Sequence, residues 1–147
     1  TVLLLKNLDG QIYANQKGWR MNFDLLKLLR WFSSEQLGNP TRDLQTQMDK
    51  LRDFIHDGID ANFNPPLDGL IVFSNPKVNV EISNVELPVV MLNQNPDALK
   101  DALRKPKNVS PVSKQDYDQL YALFEEEAAA RRVEAERGLV IAGRKIL

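Results

Sequence analysis

Gly69-Leu70-Ile71-Val72-Phe73-Ser74-Asn75-Pro76 opens the stretch of sequence that decides the fold. Residues 70–73, Leu-Ile-Val-Phe, form an apolar, β-branched run, which is typical of a strand buried on both faces. Ser74-Asn75-Pro76 then predicts a turn. After this turn, Val78, Val80 and Ile82 alternate with polar residues, the pattern of a half-buried strand. The stretch therefore favours a fold that mixes strands with helices.

Three further stretches predict strands. Residues 2–6 form a compact apolar run, and residues 7–10 have the composition of a turn. Because residues 11–14 follow as a second strand, these segments together predict a β-hairpin. Residues 89–92, Val-Val-Met-Leu, predict another strand.

Two helices are predicted in the middle of the chain. Asn39-Pro40 opens the clearer one, with Asn39 as the N-cap and Pro40 in the first turn, and Gly58 ends it. Apolar residues recur at helical spacing on one of its faces: Leu44, Met48, Leu51 and Ile55. A short helix follows Asn95-Pro96, and its predicted inward residues are Leu99, Ala102 and Leu103. Residues 24–32 are ambiguous, because they are apolar on too many sides for a surface helix.

A long helix is predicted near the end of the chain. It begins after Ser113, which resembles a capping box with Asp116, and it is expected to run to Arg137 and end at Gly138. Its first half carries a predicted inward stripe of Tyr117, Leu120, Tyr121 and Phe124. Its second half is rich in Ala, Glu and Arg, so this half is either a solvated extension or the binding site of a partner. Residues 139–142 predict a last strand or an apolar docking tail.

The predicted organisation is an α/β core with a mixed sheet flanked by helices, followed by the long helix. We place the core at residues 1–112 and the helix at residues 113–138. The first half of the helix is expected to pack on the core and the second half to project. Residues 139–147 are the strand or docking tail.

The composition is that of a globular domain. The 147 residues carry 19 Lys and Arg against 20 Asp and Glu, for a formal net charge of −1. This balance gives no support to a generic polyanion-binding protein, although a local basic face is compatible with it. The lack of cysteine excludes disulfides, thiolate zinc sites and cysteine catalysis. With His56 as the single histidine, a site with several histidine ligands is excluded and a Ser-His-Asp triad is disfavoured.

Membrane and targeting segments are not predicted. The longest apolar runs are far shorter than the roughly 20 residues that span a bilayer, and no signal-peptide pattern opens the chain. We therefore expect a cytoplasmic location. Because the chain begins with Thr1 rather than Met, we expect a piece of a longer protein, in which an upstream Asp or membrane anchor stays an open question.

Three segments carry motifs in a consistent order. Residues 3–10 are Leu-Leu-Leu-Lys-Asn-Leu-Asp-Gly, residues 39–44 are Asn-Pro-Thr-Arg-Asp-Leu, and residues 69–76 are followed by Leu-Pro-Val-Val at 87–90. Together they resemble the nuclease-related domain (NERD) family, a branch of the restriction-endonuclease-like PD-(D/E)xK fold. The first resembles the family's strand ending in Glu-x-Lys, the second its Asn-Pro-x-x-Gln helix opening, and the third its later strand and Phe-small-Asn-Pro turn. The resemblance covers residues 1–125 and implies a restriction-endonuclease-like core.

The resemblance also implies a chemistry. In this family an Asp and a Glu hold a divalent metal ion, and the ion and a lysine stabilise the phosphate and generate hydroxide. Oxygen ligands suit Mg²⁺, which is the implied cofactor of an active enzyme. Lys6 stands at the position of the catalytic lysine, but Leu4 stands where the metal-binding Glu belongs, and leucine cannot bind Mg²⁺. The family's Asp would precede Thr1.

Two carboxylates are candidate replacements for the missing metal ligand. Asp9 follows the strand that carries Lys6, and its alternative role is that of a turn residue before Gly10. Asp43 stands where the family has Gln, and its alternative role is that of an acidic residue favoured by the dipole in the first turn of a helix. Lys6 itself has an alternative role as a surface lysine at a strand end.

Other polar and aromatic residues have two readings each. A cluster of cations around the end of the short helix serves either solubility or contact with a nucleic-acid backbone: Lys100, Arg104, Lys105 and Lys107. We expect His56 to cap the C-terminus of its helix. Trp19 and Trp31 are expected in the core or at its rim rather than as platforms for bases.

Three functions follow, of which we favour the first. It is a nuclease-related-like domain that has lost catalysis and is retained for binding or scaffolding, without a cofactor, and with a protein partner bound through residues 125–147. The second is an active Mg²⁺-dependent DNA endonuclease whose missing carboxylate comes from Asp9, Asp43 or a residue outside the chain. The third is a DNA-binding module without catalysis. A small-molecule substrate is not expected.

Overall fold

Strands and helices follow one another throughout the described part of the chain. The computed structural model describes residues 1–22, 36–60, 62–95, 97–104 and 112–144. Its elements are β1 (Val2–Lys6), β2 (Gly10–Asn15), β3 (Gly18–Met21), α1 (Pro40–Gly58), β4 (Gly69–Phe73), β5 (Val78–Ile82), β6 (Val89–Met91), α2 (Ala98–Arg104) and α3 (Lys114–Arg144). The predicted mixed α/β class is thus confirmed. The ambiguous residues 24–32 lie outside the described residues.

The elements belong to two compact units. One unit consists of Thr1–Leu51 and Leu67–Asn108, and the other consists of Arg52–Pro66 and Val109–Leu147. All six described strands lie in the first unit, and α3 lies in the second.

The strand β4 is the centre of a parallel three-stranded sheet in the first unit. It pairs with β1 on one side and with β6 on the other, with Leu4 opposite Ile71 and Val72 opposite Val90. All five residues of β4 are buried. The prediction of a strand covered on both faces is therefore confirmed, as is the strand predicted at residues 89–92.

The two faces of β4 pack against different helices. Ile71 and Phe73 belong to a core cluster that includes Leu44 of α1. Leu70 and Val72 belong to a second cluster, against which Leu99 and Ala102 of α2 pack. Leu103 was also predicted to point inward, but it is 45% exposed. It lies next to the end of this short helix and is not part of the cluster that Leu99 and Ala102 contact. The sheet is thus the middle layer between α1 and α2.

A second three-stranded sheet has the order β3-β2-β5. The predicted hairpin of residues 2–6 with 11–14 is wrong, because β1 pairs with β4 and β2 pairs antiparallel with β3 and parallel with β5. The turn after β1 connects it to a strand of the second sheet and does not form a hairpin. Leu8 in this turn is buried in the core. The observed hairpin is β2–β3, in which Gly18 has a φ of 130°. On β5, the alternation is confirmed for Val78 and Val80, whereas Ile82 at the strand end is 43% exposed.

The predicted start and end of α1 are confirmed. The backbone N–H of Arg42 donates to Asn39 Oδ1 at 3.1 Å, which is the bond expected of an N-cap. Pro40 is the first residue of the helix and Gly58 is the last. The predicted stripe is also confirmed, since Leu44 and Ile55 are fully buried and the other two members are half-buried.

The long helix α3 differs from the prediction in its end and its orientation. Ser113 caps it as predicted, because its Oγ accepts a hydrogen bond from Asp116 N at 3.1 Å. The helix continues through Gly138 to Arg144, so the predicted end and the predicted strand at residues 139–142 are wrong. A single glycine costs a helix only about 1 kcal/mol relative to alanine, and the helix formers before it outweigh that cost. The predicted docking tail, residues 139–147, stays a prediction.

The predicted inward stripe of α3 is wrong for its two tyrosines. Tyr117 is 60% exposed and Tyr121 is 57% exposed, whereas Leu120 is half-buried. The covered side of the helix is set by α1, because the Phe54 ring lies 5.8 Å from that of Phe124. The tyrosines fall on a neighbouring face, where their hydroxyl groups can be hydrated.

Gly69 provides a test of the packing between β4 and α1. A Cβ atom at this position would lie 2.9 Å from Leu44 Cδ2 and 2.8 Å from Met48 Sδ. Gly69→Ala is therefore expected to lower the free energy of unfolding by about 1–3 kcal/mol, as overpacking does. Urea unfolding of the variant measures the change. In a Leu44→Ala background, where the contact with Leu44 is removed and that with Met48 remains, the same substitution is expected to cost less. A stabilised Gly69→Ala protein would contradict this account of the packing.

Candidate functional site

Lys6 is the last residue of β1, and its side chain is 9% exposed. Side chains alternate between the faces of a strand, so Lys6 and Leu4 share one face, and Leu3 and Leu5 share the other. Leu4 is 9% exposed, whereas Leu3 and Leu5 are 45% and 60% exposed. The alternative prediction of an exposed surface lysine is therefore wrong, because Lys6 lies on the covered face of β1.

The ammonium group of Lys6 has a backbone acceptor. Lys6 Nζ donates to the carbonyl oxygen of Gln36 at 3.4 Å. In register, Lys6 lies opposite Phe73, which is fully buried. The lysine therefore links the end of β1 to the segment that precedes α1, and it lies beside the buried Phe73 of β4.

The two candidate carboxylates lie on different elements. Asp9 is half-buried in the turn between β1 and β2. Asp43 is half-buried in the first turn of α1, and its Oδ2 lies 3.2 Å from the place that a Cβ of Gly38 would take. Gly38 has a φ of 59°, which glycine adopts without strain. The structure thus brings Lys6 and Asp43 to the same short segment, residues 36–39.

The structure locates no cluster of metal ligands among the residues that it describes. In that part of the chain, no three His, Asp or Glu side chains are grouped so that they could hold a metal ion. The roles of Asp9 and Asp43 as ligands of Mg²⁺ stay predictions.

Two of the four predicted nucleic-acid-binding cations can be placed. Lys100 and Arg104 are exposed on α2, and their separation of four positions puts both on one face of this helix. The inner face of α2 carries Leu99 and Ala102 instead. Lys105 and Lys107 lie outside the described residues. Contact of this cluster with a nucleic-acid backbone stays a prediction.

The predicted cap role of His56 is confirmed only in position. His56 lies in the last turn of α1, where a basic residue faces the negative end of the dipole. Its Nε2 atom is buried and has no hydrogen-bond partner in the part of the chain that the structure describes. This nitrogen therefore does not cap a carbonyl group there.

The environment of the α1 N-terminus includes contacts that the sequence patterns did not reveal. Trp19 Nε1 donates to Thr41 Oγ1 at 2.8 Å, and the Trp19 ring lies 5.8 Å from that of Phe73. Trp19 packs against the core as expected, whereas Trp31 lies outside the described residues. The alternation of Trp19 and Met21 with Arg20 was the available signal for β3. No pattern indicated Gln36 as the partner of Lys6, because this contact uses a backbone carbonyl.

The exposed face of the second sheet carries a row of polar side chains. Asn79 Nδ2 donates to Gln11 Oε1 at 2.8 Å, and Gln11 Nε2 donates to Glu81 Oε1 at 2.9 Å. These residues lie on the neighbouring strands β2 and β5, with Gln11 opposite Asn79 in the register. These side-chain hydrogen bonds link β2 to β5 and provide partners for polar groups on this face.

The second unit contains a face of α3 with exposed aromatic rings. Tyr117, Tyr121 and Phe124 are 60%, 57% and 43% exposed. The rings of the two tyrosines stack at 6.4 Å between centroids. Beyond them, residues 129–135 are exposed. Exposed apolar surface of this kind is a common feature of sites that bind proteins.

Comparisons with known proteins identify no match for the chain. No family model, curated protein or solved structure matches it. None of the helices in the described ranges is long and apolar enough to span a membrane. The motif segments lie at the end of β1 and its turn, at the start of α1, and along β4 and its turn.

Proposed function

We propose that this chain is a nuclease-related-like domain that has lost catalysis and that serves binding or scaffolding in a larger protein or assembly. The burial of Leu4 carries this proposal. Leu4 belongs to the apolar cluster that includes Leu44 and Ile71, at the position where the resemblance expects a metal-binding carboxylate. The side chain at this position contributes to the core of the fold. The proposed role needs no cofactor, and the proposed location is the cytoplasm.

The contact of Lys6 supports the same function. A catalytic lysine of this fold would reach a phosphate group, whereas Lys6 Nζ donates to the Gln36 carbonyl oxygen. This contact links the end of β1 to the chain segment before α1. The contact with Gln36 supports a structural role for Lys6 in the proposed binding domain.

The proposed partner is a protein, bound through residues 125–147. The exposed residues 129–135 of α3 support this part of the proposal, together with the neighbouring aromatic face. A charged helix that continues beyond its covered segment offers both apolar and ionic contacts to a partner. Scaffolding through a helix of this kind requires neither Lys6 nor a metal ion.

A cleavage assay tests the proposed loss of catalysis. The wild-type chain, incubated with DNA and Mg²⁺ or Mn²⁺, is expected to cleave no faster than the metal ions alone. Lys6→Met, which keeps the aliphatic part of the side chain, is expected to behave in the same way. Lys50→Met is the matched control, because Lys50 is an exposed lysine of α1.

The active Mg²⁺-dependent nuclease is the competing function in this assay. Cleavage by the wild type that requires the metal ion and is abolished by Lys6→Met, but not by Lys50→Met, would overturn our proposal. Asp9→Asn and Asp43→Asn would then identify which carboxylate replaces the missing ligand. Binding of DNA that weakens steeply with salt, without cleavage, would instead favour the DNA-binding module.

A further inference from the structure

We draw no further inference here: the strongest candidate, the exposed apolar patch that Leu3 and Leu5 form on the outer face of the edge strand β1, carries none, because nothing in the part of the chain that the structure describes shows what covers it.

Discussion

Phe73→Ala is expected to lower the free energy of unfolding by about 3–5 kcal/mol, as the loss of a fully buried phenylalanine does. Phe73 is 0% exposed, and it ends β4, the central strand of the parallel sheet. Its ring contacts that of Trp19, and its backbone lies opposite Lys6. Removing the ring leaves a cavity beside the end of β1, and the paired strands around it cannot move enough to fill that cavity. Urea unfolding followed by circular dichroism measures the loss.

Phe73→Leu is the control for this prediction. Leucine retains most of the apolar volume, so its expected cost is smaller, about 1.5 kcal/mol or less after repacking. Both variants are expected to keep the dependence of unfolding on urea, because neither changes the surface that unfolding exposes by much. Equal stability of Phe73→Ala and Phe73→Leu would contradict the central position of this ring.

The elements that could be predicted are those determined by local sequence. The apolar run of β4 and the Asn39-Pro40 start of α1 need only neighbouring residues, through burial in the one case and capping in the other. The same holds for Ser113 at the start of α3. In each case the residues that decide the element are within one turn or one strand of it.

Strand pairing could not be predicted in the same way. The sequence next to β1 favours a hairpin with β2, but β1 pairs with β4, more than sixty residues later. The pairing partner of β1 depends on β4, a buried strand that is paired along both of its edges. No local sequence pattern next to β1 indicates this distant partner. The exposed position of Tyr117 and Tyr121 has the same origin, because the orientation of α3 follows from its contacts with α1.

The resemblance selects the residues of the candidate site but does not predict their contacts. Leu4 and Lys6 could be singled out from the resemblance alone. Their burial follows from the alternation of β1 together with the pairing to β4. The carbonyl of Gln36 as acceptor could not be found from any residue type, since every residue carries one.

Leu4→Glu is expected to destabilise the fold by about 3–5 kcal/mol, the range found for an uncompensated buried charge. The substitution restores the carboxylate that the resemblance expects, two residues before Lys6. In our account this position belongs to the apolar cluster with Leu44 and Ile71, so the carboxylate loses its hydration without gaining a metal ion. Thermal and urea unfolding measure the loss.

Two substitutions separate the effect of charge from that of shape. Leu4→Met keeps an apolar side chain of similar volume and is expected to cost less than about 1.5 kcal/mol. Leu4→Gln has the shape of the glutamate without its charge, so its cost is expected to lie between the other two. If Leu4→Glu is as stable as Leu4→Met, then position 4 is open to water and the burial of Leu4 does not carry the proposed function.

The most direct test of the central claim is the Tm of Leu4→Glu with and without Mn²⁺, compared with that of the wild type. A ligand that binds the folded state raises Tm, so a restored metal site would be visible as a shift specific to the variant. If the end of β1 is part of the core and not a metal site, Mn²⁺ will shift the Tm of Leu4→Glu no more than that of the wild type. A rise of several degrees in Leu4→Glu alone, lost again in Leu4→Glu/Lys6→Met, would contradict this account.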